Sequence, residues 1–159
     1  MRIIGRFVVV LLVIFWAING SYAMGQFFFF ENPLIGKKSP DFTLNSIYQK
    51  NLNLTSFRDG KPVIIFFWAT WCPHCRVQLD ALHTSQEALA AKGVQVALVD
   101  LGESAKVVQS YMSNNHMTMD VFLDEDGSVS EAYGVIGIPT FILVNSEGII
   151  RAVENEIPE

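Results

Sequence analysis

Apolar positions along this chain follow two regimes. Residues 7–18 are twelve consecutive apolar positions with neither alternation nor a helical stripe. Such a run belongs to an export signal or a membrane segment rather than to an amphipathic element. From about residue 40 onward the apolar residues come in short blocks divided by turn formers. Residues 42–44 and 52–54 alternate around a polar turn and predict a hairpin. Residues 62–68 are continuously apolar and rich in β-branched and aromatic side chains, the pattern of a central strand buried on both faces. A helix is predicted over 73–92, opening on Pro73, carrying Leu79, Leu82 and Leu89 at near-helical spacing, and stopping at Lys92-Gly93. Residues 94–101 form a second core strand. Residues 104–114 then predict a helix with Ser104 as N-cap and Val107, Val108 and Tyr111 on one face. Next come a strand at 121–123, a turn at 124–127 and a short helix through Tyr133, and residues 141–144 and 149–153 close the pattern as a hairpin around Asn145-Ser146-Glu147-Gly148. Strands alternating with helices predict an α/β sheet.

Composition sharpens the division. The chain of 159 residues is 50% apolar, yet 22 of those residues lie in the first 30, so the remainder is about 45% apolar, ordinary for one globular domain. Arg2 and Arg6 precede the greasy run, and Ser21 and Ala23 come after it as small residues near a cleavage-like site. Residues 1–23 are therefore expected to be a signal sequence or membrane anchor. Twelve apolar residues fall short of the roughly 20 that span a bilayer, but the aromatic run from Tyr22 to Phe30 extends them and suits a membrane interface. Residues 24–36 read as linker, within a breaker-rich stretch over 32–40 that holds Pro33, Gly36 and Pro40. Positive charge before the apolar run is expected to leave the domain after residue 30 outside the cytoplasm, in the cell envelope, either anchored at the membrane or released from it.

The net charge is -5, and without Arg2 and Arg6 the rest carries nine basic against sixteen acidic residues. That balance argues against nucleic acid as a partner. Only two cysteines occur, which excludes a disulfide-rich scaffold and a four-cysteine zinc site; no metal is expected.

Those two cysteines carry the chemistry. Trp71-Cys72-Pro73-His74-Cys75 sits where the predicted strand hands over to the predicted helix. A cysteine at a helix N-terminus faces unpaired N–H groups and the positive end of the helix dipole, which favour thiolate over thiol. Two intervening residues put the second sulfur one turn behind, within disulfide reach, so Cys72 can attack and Cys75 can resolve. Pro73 and His74 are candidate tuners, since a protonated His74 adds positive charge near Cys72. Lowering a thiol from about 8.5 to about 5 stabilises the reduced form by roughly 2.7 kcal/mol at pH 7, raising the reduction potential by about 60 mV. His83 and His116 read as structural or solvated.

In these motifs the chain resembles the thioredoxin superfamily, specifically its TlpA/ResA-like membrane-anchored members with a redoxin or AhpC-TSA-like domain. The resemblance rests on Gly36-Lys37-Lys38-Ser39-Pro40-Asp41-Phe42-Thr43-Leu44, Phe57-Arg58-Asp59-Gly60-Lys61-Pro62, Phe67-Trp68-Ala69-Thr70-Trp71 with the cysteine motif, Leu101-Gly102-Glu103-Ser104, and Gly137-Ile138-Pro139-Thr140-Phe141. It implies a thioredoxin-like domain over 37–159, with a central mixed β-sheet flanked by helices and an N-terminal β-hairpin. It also implies a cis Pro139 facing the cysteines, with Ile138 offering its backbone and Trp71 its ring to an extended substrate. Three positions depart from the family. Phe66 stands where thioredoxins keep a buried carboxylate, Gln78 where ResA-like members carry a glutamate, and residues 154–159 are too short and acidic for the usual C-terminal helix. The cysteine pair is thus expected to lie in an uncharged neighbourhood, with the C-terminal helix missing.

By resemblance the expected function is a thiol-disulfide oxidoreductase that reduces disulfides of exported proteins, apocytochrome c among them, with electrons from a membrane thiol carrier and no cofactor beyond the Cys72–Cys75 disulfide. Pro73-His74 is also the dipeptide of strongly oxidising DsbA-like proteins, which keeps a disulfide-forming oxidant open. A non-catalytic binding or chaperone-like module on the same fold is the alternative of another class.

Overall fold

The computed structural model describes residues 33–157; the expected leader, the aromatic run and the linker up to residue 32 lie outside them. A mixed five-stranded sheet organises the domain, in the order β5-β4-β3-β6-β7. Its strands are β3 (Val63–Trp68), β4 (Gln95–Leu101), β5 (Val121–Asp124), β6 (Thr140–Val144) and β7 (Ile150–Glu154). β3 lies at the centre, parallel to β4 and antiparallel to β6, and all six of its residues are buried. An apolar run with no polar alternation suits only that place, because both faces of the strand are covered. β3, β4 and β5 succeed one another through two parallel crossovers: helix α2 (Pro73–Ala91) joins the first pair and helix α3 (Ala105–Asn114) the second.

Each sheet face has its own core. On one side Phe66 and Trp68 of β3 pack with Leu79 and Leu82 of α2, Val108 and Met112 of α3, and Cys75. On the other, Ile65 and Phe67 pack with Leu54, Val129, Tyr133 and Phe42. This second side is built from the predicted hairpin, β1 (Thr43–Leu44) against β2 (Leu52–Asn53), a short helix α1 (Leu54–Arg58), and helix α4 (Ser128–Ala132). This is the mixed sheet with flanking helices and N-terminal hairpin that the resemblance implies.

The structure revises three local expectations. Leu54 opens a helix rather than ending a strand, because Asn53 caps it: its side-chain oxygen accepts from Ser56 N–H. In α3 the buried face is Val108 and Met112, whereas Val107 is exposed; Ser104 holds the N-cap position without a side-chain cap bond. The stretch from Pro33 to Pro40 does not run free as a linker would. Gly36 N–H donates to Ile150 O, Ile150 N–H to Lys37 O, and Ser39 N–H to Gly148 O, tying the stretch to the edge strand β7.

The motif 57–62 has a mechanical role. Arg58 Nη1 donates to Lys61 O and Asn145 O at 3.1 Å each, and Nη2 to Ser146 O at 3.3 Å, so one guanidinium fork holds the β6–β7 turn. Beyond β7 the described chain continues to Ile157 without a further helix. On the α2 side an open apolar groove of about 320 Å³ lies between Leu89, Val94, Ile64 and Leu143.

Candidate active site: the cysteine pair and the proline loop

Cys72 is the N-cap of α2 and Pro73 its first helical residue. Proline at that position forfeits no hydrogen bond and presets the helical turn. Cys72 and Cys75 form a disulfide with Cα atoms 5.3 Å apart. Cys75 N–H donates to Cys72 Sγ at 3.2 Å, which puts a backbone donor of the helix end on the sulfur expected to become the thiolate. The two sulfurs differ in access, as attack and resolution require: Cys72 retains a sliver of exposed surface and Cys75 has none.

Across from the pair, the Ile138–Pro139 peptide is cis, as the resemblance implies. Cys72 Sγ lies 4.0 Å from Ile138 O, although the two residues are 66 positions apart. Thr140 Oγ1 donates to Gly137 O and pins the loop as it enters β6. A concavity of about 410 Å³ opens beside it, lined by His74, Ile136, Ile138, Pro139, Asn155 and Glu156. Ile136 is fully exposed and Trp71, adjacent to Cys72 in the chain, is 66% exposed, so neither contributes to the core. The structure thus brings Trp71, Cys72, Pro73, His74, Cys75, Ile138 and Pro139 to one end of the sheet.

The sheet face that α2 and α3 cover also holds one buried acid. Asp100, at the end of β4, is fully buried on the face that α2 and α3 cover, in register with Trp68. Its Oδ1 accepts from Glu103 N–H at 3.2 Å. Glu103 in turn takes Thr70 N–H at 2.6 Å and Thr70 Oγ1–H at 2.7 Å, two residues before Cys72. Burial, reinforced by hydrogen bonding to and repulsion from the Glu103 carboxylate, pushes the Asp100 carboxyl up to about 8 from an ordinary 3.8. Sequence reasoning passes over Asp100. Its signal is a lone acid inside an otherwise apolar strand, Val96-Ala97-Leu98-Val99-Asp100-Leu101.

A helix-capping disulfide facing a cis-proline loop at the end of a mixed sheet defines a thiol-disulfide exchange protein on a thioredoxin-like fold. The AhpC/TSA family matches residues 35–153, and the chain belongs to it. Among its relatives is the thiol-disulfide oxidoreductase ResA of Bacillus subtilis (strain 168), 30% identical over 151 residues that cover 94% of this chain and 84% of the relative. The thiol:disulfide interchange protein DsbE of Yersinia pestis is 36% identical over 124 residues, 76% of this chain and 64% of the relative. A crystal structure of a putative thiol:disulfide interchange protein DsbE from Chlorobium tepidum superposes with a TM-score of 0.70 at 29% identity, covering 76% of this chain and 84% of that one. The protein is a thiol-disulfide oxidoreductase.

Proposed function

We propose that this oxidoreductase works outside the cytoplasm, held at the membrane by its N-terminal segment, and reduces disulfides of exported proteins, including apocytochrome c. Among the described residues no helix is long and apolar enough to cross a membrane. The tether in this reading is residues 1–23, supported by the basic Arg2 and Arg6 ahead of the apolar run 7–18. A substrate disulfide is attacked by the Cys72 thiolate, which releases one substrate thiolate and leaves a mixed disulfide. Cys75 gives up its proton, attacks Cys72 Sγ and releases the second substrate thiolate, so the Cys72–Cys75 disulfide forms as the substrate's is cleaved. A membrane thiol carrier then reduces the pair, and the two sulfurs are the only electron-carrying groups the cycle needs. Trp71, Ile138 and Pro139 form the contact surface, and Pro73 and His74 tune Cys72.

The observation that carries this reading is the 4.0 Å approach of Cys72 Sγ to Ile138 O, with Trp71 and Ile136 exposed. An extended cysteine-bearing segment laid along the proline loop would meet the reactive sulfur there. Pro73-His74 favours a second reading, a disulfide-forming oxidant. A Cys75→Ala trap in living cells separates the two. Captured partners should be exported cysteine-pair proteins, and the purified protein should show a potential toward the reducing end of roughly -270 to -120 mV. A value near the oxidising end, with partners captured as they acquire disulfides, would establish the oxidant instead.

A further inference from the structure

Residues 69–72 join the end of β3 to the start of α2 by one tight turn: Cys72 N–H donates to Ala69 O at 3.2 Å, with Thr70 and Trp71 as the central residues. The two ends of the turn are anchored independently. Ala69 is fully buried directly after β3, and Cys72 caps α2, whose Cys75 N–H reaches its Sγ. The apex is different. Trp71 is exposed, so core packing does not fix where its ring stands. Thr70 lies past the last paired residue of β3, so the sheet supplies no partner for its N–H. One carboxylate fills that gap. Glu103 accepts the Thr70 N–H on Oε2 at 2.6 Å and the Thr70 hydroxyl on Oε1 at 2.7 Å, so both of its oxygens grip a single residue of the turn. Glu103 comes from the β4–α3 connection, 33 positions away, and that connection is itself held. Glu103 N–H donates to Asp100 Oδ1 at 3.2 Å, and Gly102 N–H donates to Asp124 O at 3.0 Å. Among the described residues no salt bridge draws the Glu103 carboxylate elsewhere. The Ala69–Cys72 bond alone closes the turn but leaves it free to pivot about its two ends; the pair of bonds at Thr70 removes that pivot.

We propose that Glu103 is a positioning residue for substrate capture: by clamping Thr70 it fixes the turn that presents the exposed Trp71 ring, the chain neighbour of Cys72. The proposal rests on Trp71 belonging to the contact surface of the oxidoreductase. A ring whose backbone is fixed beforehand need not be ordered when an extended segment binds, so more of the contact appears as affinity. A small disulfide that engages only the sulfur gains nothing from the clamp, because Cys72 is held by α2 and not by Thr70. Glu103 thus separates large substrates from small ones without taking part in the exchange itself.

The test compares second-order rate constants of the reduced protein with a disulfide-bearing peptide and with glutathione disulfide, read by acid quench and thiol alkylation. Glu103→Ala should lower the peptide-to-glutathione ratio by about tenfold. Thr70→Val keeps the Glu103 charge and deletes the hydroxyl donor, so it should lower the ratio in the same direction, and Thr70→Ser should restore it. That pair serves if Glu103→Ala does not fold. In a Trp71→Ala background the effect of Glu103→Ala on the ratio should vanish, which a general loss of stability would not produce. A ratio unmoved by Glu103→Ala, even with both rates lowered, or an undiminished effect in the absence of the Trp71 ring, would overturn the proposal. A Trp71→Ala ratio equal to that of wild type would instead remove the contact surface on which it stands.

Discussion

The side-chain oxygen of Gln78 accepts a hydrogen bond from the backbone N–H of Ile157 at 2.8 Å, fastening the segment after β7 to the first turns of α2. Asn155 and Glu156 consequently form one wall of the concavity beside His74 and the proline loop. The same Gln78 occupies the position at which ResA-like relatives carry a glutamate, one turn beyond Cys75. Gln78→Glu keeps the acceptor for Ile157 and adds a base close to the resolving thiol. General-base assistance contributes about 10²-fold at its lower end, so release of thiol from a preformed mixed disulfide on Cys72 should accelerate by about that factor at pH 7. Stopped-flow measurement of the released thiol checks it; an unchanged rate would mean that the Cys75 proton already departs by an equally fast route.

Trp71 buries little in the fold, so its removal should leave folding intact and weaken substrate capture. Truncating a central aromatic contact costs about 2 kcal/mol, or roughly a 30-fold loss of kcat/KM. Trp71→Ala should show that loss with a peptide disulfide while its melting temperature and its equilibrium with glutathione stay near wild type. Equal losses with peptide and glutathione would place the ring in tuning Cys72 rather than in binding.

Arg58→Ala should lower stability by about 1 kcal/mol, since it deletes three charge-assisted bonds, one part-buried and two exposed. Arg58→Lys should recover little, because a single ammonium cannot reproduce the fork that spans Lys61, Asn145 and Ser146. The midpoint of urea unfolding reads both.

Asp100 makes a stability prediction. Its folded-state value, about 8, lies above the ordinary 3.8, so the folded protein holds a proton that the unfolded chain has lost. Stability is therefore fully present below about pH 4 and declines as pH rises toward 8, by about 1.4 kcal/mol per pH unit from this group. Asp100→Asn should flatten that decline and be the more stable protein at pH 8. A wild-type stability curve that rises throughout this range and is unchanged by the substitution would show the carboxyl to be ionised in place.

The contrast between Cys72 and Asp100 shows what the linear chain discloses. Residues 63–68 and the cysteine motif are legible because their signals are local: an unbroken apolar run, then a helix-opening proline between two cysteines. The capping by Asn53 that turns Leu54 into a helix start is less so, because a three-residue apolar piece fits either state. Val107 and Val108 are equal candidates for burial until the packing of α3 chooses between them. Asp100 is harder to read for a different reason. The lone acid in an apolar strand is visible in the sequence, but its setting depends on Trp68 and Thr70 from the neighbouring strand and the loop after it as well as on Glu103 three residues on, and no local pattern encodes the first two. The tie between Gly36 and Ile150 is likewise a pairing across more than a hundred residues, where the local pattern holds only turn formers.

The 66 residues separating Cys72 from Ile138 also impose an order on biosynthesis. Chain growth delivers the cysteine pair first, at the end of β3, whereas the proline loop arrives only with β6, the strand that pairs with β3 from its other edge. For that interval the nascent protein has reactive sulfurs and no cradle to choose what they meet. A maturing chain is thus a less selective thiol reagent than the finished enzyme, and closing β6 onto β3 is the moment at which it acquires discrimination.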